Sequence, residues 1–135
     1  MTDQPPALAL DAARVVVRST NPNDPFAPGP WADLVIERRA DGHAIGSVGV
    51  RVEPEEATVE VRIEVTVKAR GQGYGTEALA TVVRHALVER RFVRVVAVVP
   101  AGDERAQRLY ERVGLRVVAT DGADLVYLRR TDPSH

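Results

Sequence analysis

The chain has 135 residues, of which 44 % are hydrophobic and 27 % are charged, a composition typical of one globular domain with a single core. The formal net charge of −1 excludes the strongly positive surface of a general nucleic-acid or anionic-membrane binder, so we expect neither partner. The chain contains no cysteine, which excludes disulfides, thiolate metal sites and a cysteine nucleophile and is compatible with a cytoplasmic location.

The first part of the chain predicts short strands separated by turns. Residues 1–12 predict a flexible tail, without the basic start and apolar run of a secretory signal. Residues 13–18 include three consecutive valines and predict a strand. Residues 21–30 contain four prolines and a glycine, which predict a loop. Residues 32–39 and 44–52 predict the two strands of a hairpin.

Residues 58–67 alternate between apolar and polar side chains, which predicts a half-buried strand. Its apolar face consists of Val59, Val61, Ile63, Val65 and Val67. From Thr76 onward the apolar residues recur at helical spacing. The inner face predicted for this first helix consists of Ala78, Leu79, Val82, Val83, Ala86 and Leu87.

The last part of the chain predicts a strand, a helix and a hairpin. Residues 92–99 form a nearly continuous apolar run, typical of a central strand buried on both faces. Asp103 is a candidate N-cap for a second helix, which Gly114 ends. The inner face predicted for it consists of Ala106, Leu109, Tyr110 and Val113. Residues 116–120 and 125–129 predict a final hairpin, and the element order indicates one α+β domain over residues 1–135.

A glycine-rich loop, Arg-Gly-Gln-Gly-Tyr-Gly at residues 70–75, joins the long strand to the first helix. Glycines let the backbone approach a ligand closely, and the first turn of a helix presents unpaired N–H groups. Together these features bind phosphate, and Arg70 adds a charge-assisted contact. The spacing matches neither the Walker loop nor the dinucleotide fingerprint. A tight turn without a ligand is the alternative interpretation.

Two motifs resemble those of the GNAT superfamily of N-acetyltransferases. Val65-x-Val67, Arg70-x-x-Gly73-x-Gly75 and the following amphipathic helix resemble its acetyl-CoA motif, and the run 70–78 is similar to the branch that acetylates ribosomal-protein N-termini and small amines. Ala106-x-x-Leu109-Tyr110-x-x-x-Gly114-Leu115 resembles its second motif.

The resemblance implies a mixed, mostly antiparallel sheet flanked by helices, and acetyl-CoA as co-substrate bound by a core over residues 65–115. The family binds the pyrophosphate on loop N–H groups and pairs the pantetheine arm with the strand end. The cofactor-binding residues it implies here are Val65, Thr66, Val67, Arg70, Gly71, Gln72, Gly73, Tyr74, Gly75, Thr76, Asp103, Arg105 and Ala106.

The resemblance also implies the catalytic residues. An amine must be neutral to attack a thioester, so a general base helps, and the thiolate that leaves needs a proton donor. Tyr110 matches the donor of the family; taken alone, a core tyrosine is the favoured reading. Glu60 and Glu64 are the candidate bases, and we prefer Glu60. Alternatively the row Glu60, Arg62 and Glu64 is only a solvated, cross-strand paired face, or a water chain serves as base.

Two features depart from the family. Asp103 stands where relatives often have asparagine, so it is expected either to contact the cofactor or only to cap its helix. Residues 19–31 replace the family's first two helices, which leaves the acceptor site open, completed by a second subunit, or absent. Phe26 and Trp31 either line that site or fill the core in place of the helices, and we favour the second.

The sequence therefore predicts an N-acetyltransferase acting on a primary amine, with a possible homodimer. The alternatives are a non-catalytic acetyl-CoA-binding sensor or regulatory module, and a structural remnant without a ligand. His43, His85, expected on the outer face of the first helix, and His135 share no ligand spacing, so we expect no metal site.

Overall fold

The computed structural model describes residues 7–131, which form one eight-stranded sheet and two α-helices. The strands are β1 (Ala9–Asp11), β2 (Val15–Ser19), β3 (Ala32–Arg38), β4 (Ala44–Glu53), β5 (Thr58–Val65), β6 (Arg94–Pro100), β7 (Arg116–Asp121) and β8 (Asp124–Arg130); the helices are α1 (Tyr74–Arg84) and α2 (Glu104–Arg112). None of these described helices is long and apolar enough to cross a membrane.

The sheet is mixed but mostly antiparallel, in the order β1-β2-β3-β4-β5-β6-β8-β7. Every neighbouring pair is antiparallel except β5 and β6, which are parallel. The chain between these two strands forms α1, as a parallel connection requires. The predicted α+β class and the antiparallel character of the sheet are confirmed.

The buried face of α1 agrees with the sequence pattern. All six residues predicted for its inner face are buried, and they join a single hydrophobic core with the apolar faces of the central strands. The helix begins at Tyr74, two residues before the predicted start, and continues into a π-helical turn at His85–Glu89. The 3.6-residue period therefore identified correctly which side of this segment packs on the sheet.

The pairing of β5 with β6 is short, and this positions the site. Only Thr58–Glu60 on β5 pairs with Arg94–Val96 on β6. Beyond these residues β5 continues to pair with β4, and β6 with β8, so the two strands separate. The separation leaves two facing strand edges in the middle of the sheet, next to α2 and the end of β5.

Three element predictions are wrong in part. The flexible tail predicted over residues 1–12 contains β1, whose Leu10 is buried and pairs with Val17; residues 1–6 lie outside the described residues. Residue Val67 does not extend β5, because the chain turns at Thr66 into a 3₁₀ turn that leaves Val67 74 % exposed. The three residues of β1 are too few to show a periodic pattern, and alternation alone does not show at which residue a strand such as β5 ends.

Strand β6 was predicted to be buried on both faces, and it is buried on one. Val95, Ala97 and Val99 are in the core, whereas Val98 on the other face is 41 % exposed. A continuous apolar run allows both faces of a strand to be buried. How many faces are buried depends on whether helices pack on one or both sides of the sheet.

The proline-rich loop at residues 21–30 covers the C-terminal end of α1. Phe26 is 2 % exposed, with its ring centroid 5.2 Å from that of His85 and 6.3 Å from that of Phe92. The Arg90 guanidinium donates to the Asp24 carboxylate (Nη1–Oδ1, 2.9 Å) and ties the loop down. The expectation that Phe26 fills the core is confirmed. The expectation that His85 lies on an outer face is wrong, because the loop covers its ring.

We expect the half-buried His85 to make the fold sensitive to acid. Burial, and secondarily the charge of Arg90, lowers the pKa of His85, whereas Glu89 and Asp24 partly oppose this. Its Nε2 is buried without a hydrogen-bond partner among the described residues. The unfolded imidazole keeps an ordinary pKa near ~6.5, so the stability present above that pH is lost as the pH falls through it.

The variant His85→Leu should therefore lose less unfolding free energy between pH 7.5 and pH 5 than the wild type, as measured by urea denaturation. The matched control is His43→Leu, because the His43 side chain is 73 % exposed in a turn. This control should lose as much as the wild type. Equal losses in all three proteins would assign the acid sensitivity to other groups.

Candidate functional site

A cleft of ≈ 360 Å³ lies between the end of β5, the glycine-rich loop and α2. It is lined by Val65, Ala69, Arg70, Gly71, Gly73, Tyr74, Gly75, Thr76, Arg105, Arg108, Leu109 and Arg112. Most of the residues predicted to bind a cofactor are thus brought together in one place. The predicted residues that do not line this cleft are Thr66, Val67, Gln72, Asp103 and Ala106.

The residues outside the cleft have other partners or positions. The Thr66 N–H donates to the Ile45 carbonyl at 2.9 Å and closes the end of the β4–β5 pair. Asp103 caps α2, since its Oδ1 accepts from the Ala106 N–H at 3.1 Å. Of the two expectations for Asp103, helix capping is the one that the structure shows.

The glycine-rich loop beside the cleft contains a row of backbone amides without protein acceptors. Gly71 and Gly73 adopt left-handed conformations, with φ of 77° and 84°, that disfavour a side chain. Within residues 7–131, none of the backbone N–H groups of residues 71–76 donates to a protein acceptor. The next amide along the chain, that of Glu77, donates to the Gly73 carbonyl. These unpaired donors coincide with the positive end of the α1 dipole.

Arginines make the opposite wall of the cleft positive. Arg105, Arg108 and Arg112 follow one another along α2, and all three line the cleft. Their spacing of three and four residues puts them on one helix face. This spacing is visible in the sequence, but only Arg105 was predicted to bind the cofactor. Amides on one side and guanidinium groups on the other form a binding site for an anion with several oxygens.

Arg70 contributes differently from what was expected. Its Nε donates to the Val65 carbonyl at 2.8 Å, at the last residue of β5. The side chain therefore binds the strand end as well as lining the cleft. Its guanidinium holds the strand terminus and the glycine-rich loop in a fixed relation.

Tyr110 lies on the inner face of α2 beside the separated strands. It is 4 % exposed, and its hydroxyl lies close to the backbone of Ile63. Burial raises the pKa of Tyr110 to about 12; the Ile63 backbone lowers it, and the charges of Asp103 and Glu60 raise it further. The phenol is therefore protonated at neutral pH and able to donate.

The two candidate bases have different surroundings. The Glu60 side chain is 21 % exposed and its Oε1 accepts from Arg51 Nη2 at 2.6 Å, across the β4–β5 pair. Glu64 is exposed opposite Ser47 and has no hydrogen-bond partner among the residues that the structure describes. Glu60 and Glu64 lie on the same face of β5, and of the two only the Glu60 charge raises the pKa of Tyr110.

The neighbouring polar face is an ion-paired surface around an indole. The Arg62 and Arg51 guanidinium carbons lie 4.2 Å and 4.9 Å from the Trp31 ring centroid. Arg62 Nη2 also lies 3.5 Å from Asp33 Oδ1. Trp31 is half-buried on this face and is not part of the described core, so the favoured expectation that it fills the core is wrong. Its cationic neighbours hold it on the sheet surface.

The described part of the chain contains no group of three or more histidine, cysteine or acidic side chains able to hold a metal ion. His43 and His85 lie in separate regions, a turn and the covered end of α1, and His135 falls outside the described residues.

Comparisons with known proteins agree on one family. A family model of the acetyltransferase (GNAT) domain matches residues 4–116. A solved GNAT-family acetyltransferase from Bacillus anthracis has a TM-score of 0.76 and 14 % identity, over 92 % of this chain and 99 % of that chain. An acetyltransferase from Agrobacterium tumefaciens has a TM-score of 0.74 and 19 % identity, over 96 % and 97 %.

A spermidine N-acetyltransferase variant from Vibrio cholerae is also similar, with a TM-score of 0.67 and 14 % identity. That match covers 75 % of this chain and 64 % of the other. A search of curated proteins found no match. At these identities the solved structures establish a shared fold.

We expect inorganic pyrophosphate to bind in the cleft and Arg108→Glu to weaken that binding about tenfold or more, because charge-assisted hydrogen bonds contribute ~1.5–3 kcal/mol each. Isothermal titration calorimetry measures the affinity. The matched control is Arg130→Glu, the same charge reversal at an exposed position that does not line the cleft. Equal weakening in both variants would mean that net charge, and not the cleft, attracts the anion.

Proposed function

This chain belongs to the GNAT family of acetyltransferases, and from that premise we propose that it transfers the acetyl group of acetyl-CoA to a primary amine by direct attack within a ternary complex. The observation that carries the proposal is the row of unpaired amides at residues 71–76, in the loop beside a cleft with an arginine-lined wall. Acetyl-CoA contains a pyrophosphate, and several convergent N–H donors at a helix N-terminus suit that group.

The separated strands support the second half of the binding site. Past Glu60, β5 has a free edge on its β6 side, and this edge runs toward the cleft. An amide-bearing pantetheine arm pairs with such an edge as an added strand does. The thioester then lies near Ile63 and the Tyr110 hydroxyl, which meet at the same opening.

The reaction needs little covalent help from the protein. The amine nitrogen attacks the thioester carbon, the tetrahedral intermediate collapses, and the carbon–sulfur bond breaks to leave a thiolate. Alkyl thiols such as cysteine have a pKa near ~8.5, well below the value of about 12 for Tyr110. Tyr110 therefore stabilises the thiolate mainly by hydrogen-bond donation, because complete proton transfer from the phenol is uphill.

Glu60 is the preferred acceptor of the amine proton. Its charge acts on the pKa of Tyr110, whereas that of Glu64 does not, and its pairing with Arg51 fixes the carboxylate in one geometry. Glu64 is the alternative, with no protein donor competing for its oxygens among residues 7–131. Residues four apart on a strand are separated by ~13 Å, so only one of them can reach the thioester.

The acceptor is a primary amine, and a peptide N-terminus, a lysine or a small amine all fit this description. The similar spermidine N-acetyltransferase adds polyamines to the candidates. The residues between β2 and β3 form a loop, so no helix among the described residues covers the polar face near Glu60. The predicted homodimer and cytoplasmic location stay predictions.

A non-catalytic acetyl-CoA sensor is the second candidate function. The observation in its favour is the loop at residues 21–30, which takes the place of two helices and is directed to the core through Phe26. Such a protein would bind acetyl-CoA in the same cleft and release no thiol.

Acetyl-CoA at 100 times its dissociation constant should stabilise the wild type by ~2.7 kcal/mol, which a thermal shift assay detects. Release of free thiol should then follow with at least one member of a panel of N-terminal peptides, lysine peptides, spermidine and small amines. Stabilisation without release by any member would support the sensor. Without stabilisation, the cleft is not a coenzyme site.

Replacing Tyr110 by phenylalanine should lower kcat about 100-fold and leave the acetyl-CoA dissociation constant within about twofold, because the hydroxyl acts on the leaving group. Since the pKa of Tyr110 is about 12, the wild-type rate should show no loss from its ionisation up to about pH 10. Tyr127→Phe is the matched control, a tyrosine 1 % exposed whose hydroxyl donates to Glu111 at 3.0 Å. Full turnover by Tyr110→Phe would remove the assignment.

A further inference from the structure

An arginine from the N-terminal hairpin contacts the glycine-rich loop without lining the cleft. Arg14 lies in the turn between β1 and β2 and does not line the cleft. Its Nη1 donates to the Gln72 carbonyl at 3.0 Å, and its Nε donates to Glu77 Oε1 at 2.8 Å. Its guanidinium carbon is 4.5 Å from the Tyr74 ring centroid. One side chain thus contacts the loop at Gln72 and Tyr74 and the first turn of α1 at Glu77.

The contact with Gln72 bears directly on the row of amides. In a trans peptide the C=O and the following N–H point in opposite directions. Because Arg14 holds the Gln72 carbonyl on its own side, the Gly73 N–H points away from Arg14. Gly73 lines the cleft, so this N–H is held toward the ligand side.

The carboxylate of Glu77 completes the connection. Its Oε2 accepts from the backbone N–H of Arg14 at 2.5 Å and from that of Val15 at 3.2 Å. The first turn of α1 therefore holds the backbone of the hairpin, while the hairpin's side chain holds the loop. The left-handed Gly73 leaves room for this arrangement, since a Cβ there would lie 3.1 Å from Arg14 Nη2.

We propose that Arg14 is a positioning residue for coenzyme binding: it fixes the Gln72–Gly73 peptide so that the amides of the loop face the pyrophosphate before the ligand arrives. The inference rests on the proposed function and assigns to the N-terminal hairpin a role in cofactor affinity. Preorganised donors bind more tightly because no ordering cost is added on binding. Because Arg14 does not line the cleft, we expect it to affect coenzyme affinity and not the acetyl-transfer step.

The test compares Arg14→Ala, Arg14→Lys and Arg39→Ala in the full chain. Arg39 is the matched control, because it binds the same hairpin through the Ala12 carbonyl (2.9 Å) and Asp11 (2.7 Å) without contacting the glycine-rich loop. Lysine at position 14 can pair with Glu77 but cannot bridge Glu77 and the Gln72 carbonyl as a guanidinium does. Calorimetry gives the acetyl-CoA dissociation constant, and thermal melting without ligand reports stability.

Arg14→Ala should raise the acetyl-CoA dissociation constant about tenfold, the effect of losing one well-placed interaction, with kcat at saturating acetyl-CoA within about twofold. Arg14→Lys should weaken binding while its melting temperature stays at the wild-type value, which a purely structural role would not produce. Arg39→Ala should bind as the wild type does.

Wild-type affinity in both Arg14 variants would overturn the inference while leaving the proposed function standing. Equal weakening in Arg39→Ala would also overturn it, by assigning the effect to a loosened hairpin. If Arg14→Ala does not fold, Arg14→Lys decides. Absence of acetyl-CoA binding by the wild type would refute the proposed function itself, and with it the role of Arg14.

Discussion

Strands β5 and β6 hydrogen-bond to each other only over Thr58–Glu60 and Arg94–Val96, and then separate. Backbone donors and acceptors inside a protein cost free energy unless they find partners, so the opening has to be filled. The Tyr110 hydroxyl lies in this opening, close to the Ile63 backbone. At the end of β5, Arg70 Nε donates to the Val65 carbonyl. The remaining edge is available to an amide-bearing ligand. Under the proposed function, the edge that binds the coenzyme and the position of Tyr110 both follow from this one interrupted strand pairing.

The charge of the site is local and contrasts with that of the chain. The net charge is only −1, yet three arginines on α2 line one wall of the cleft, opposite the helix N-terminus with its free amides. A polyanionic ligand is thus attracted at one end of the opening. At the other end Glu60 pairs with Arg51, and the Trp31 indole lies between two guanidinium groups. Binding and chemistry occupy electrostatically different surroundings along the same strand.

Sequence patterns predicted what depends on local periodicity and backbone conformation. The 3.6-residue period predicted the buried face of α1. The glycines predicted the tight loop, because glycine readily adopts the positive φ angles found at Gly71 and Gly73. Contacts between distant segments left no such signal. Arg14 and Glu77 are 63 positions apart, and Asp24 and Arg90 are 66 apart, so neither pair could be inferred from spacing. The burial of His85 under Phe26 was missed for the same reason.

The loop at residues 21–30 divides the molecule into a closed side and an open side. Phe26 takes a place in the core at the end of α1, which completes the hydrophobic packing without helices between β2 and β3. Trp31, at the other end of the same loop, stays on the polar face with Arg51 and Arg62. Under the proposed function, an acceptor approaching Glu60 meets an exposed, ion-paired surface, and the described residues form no apolar tunnel there. Selectivity among amines has to come from charge and from that indole, because a surface without walls cannot exclude an acceptor by size.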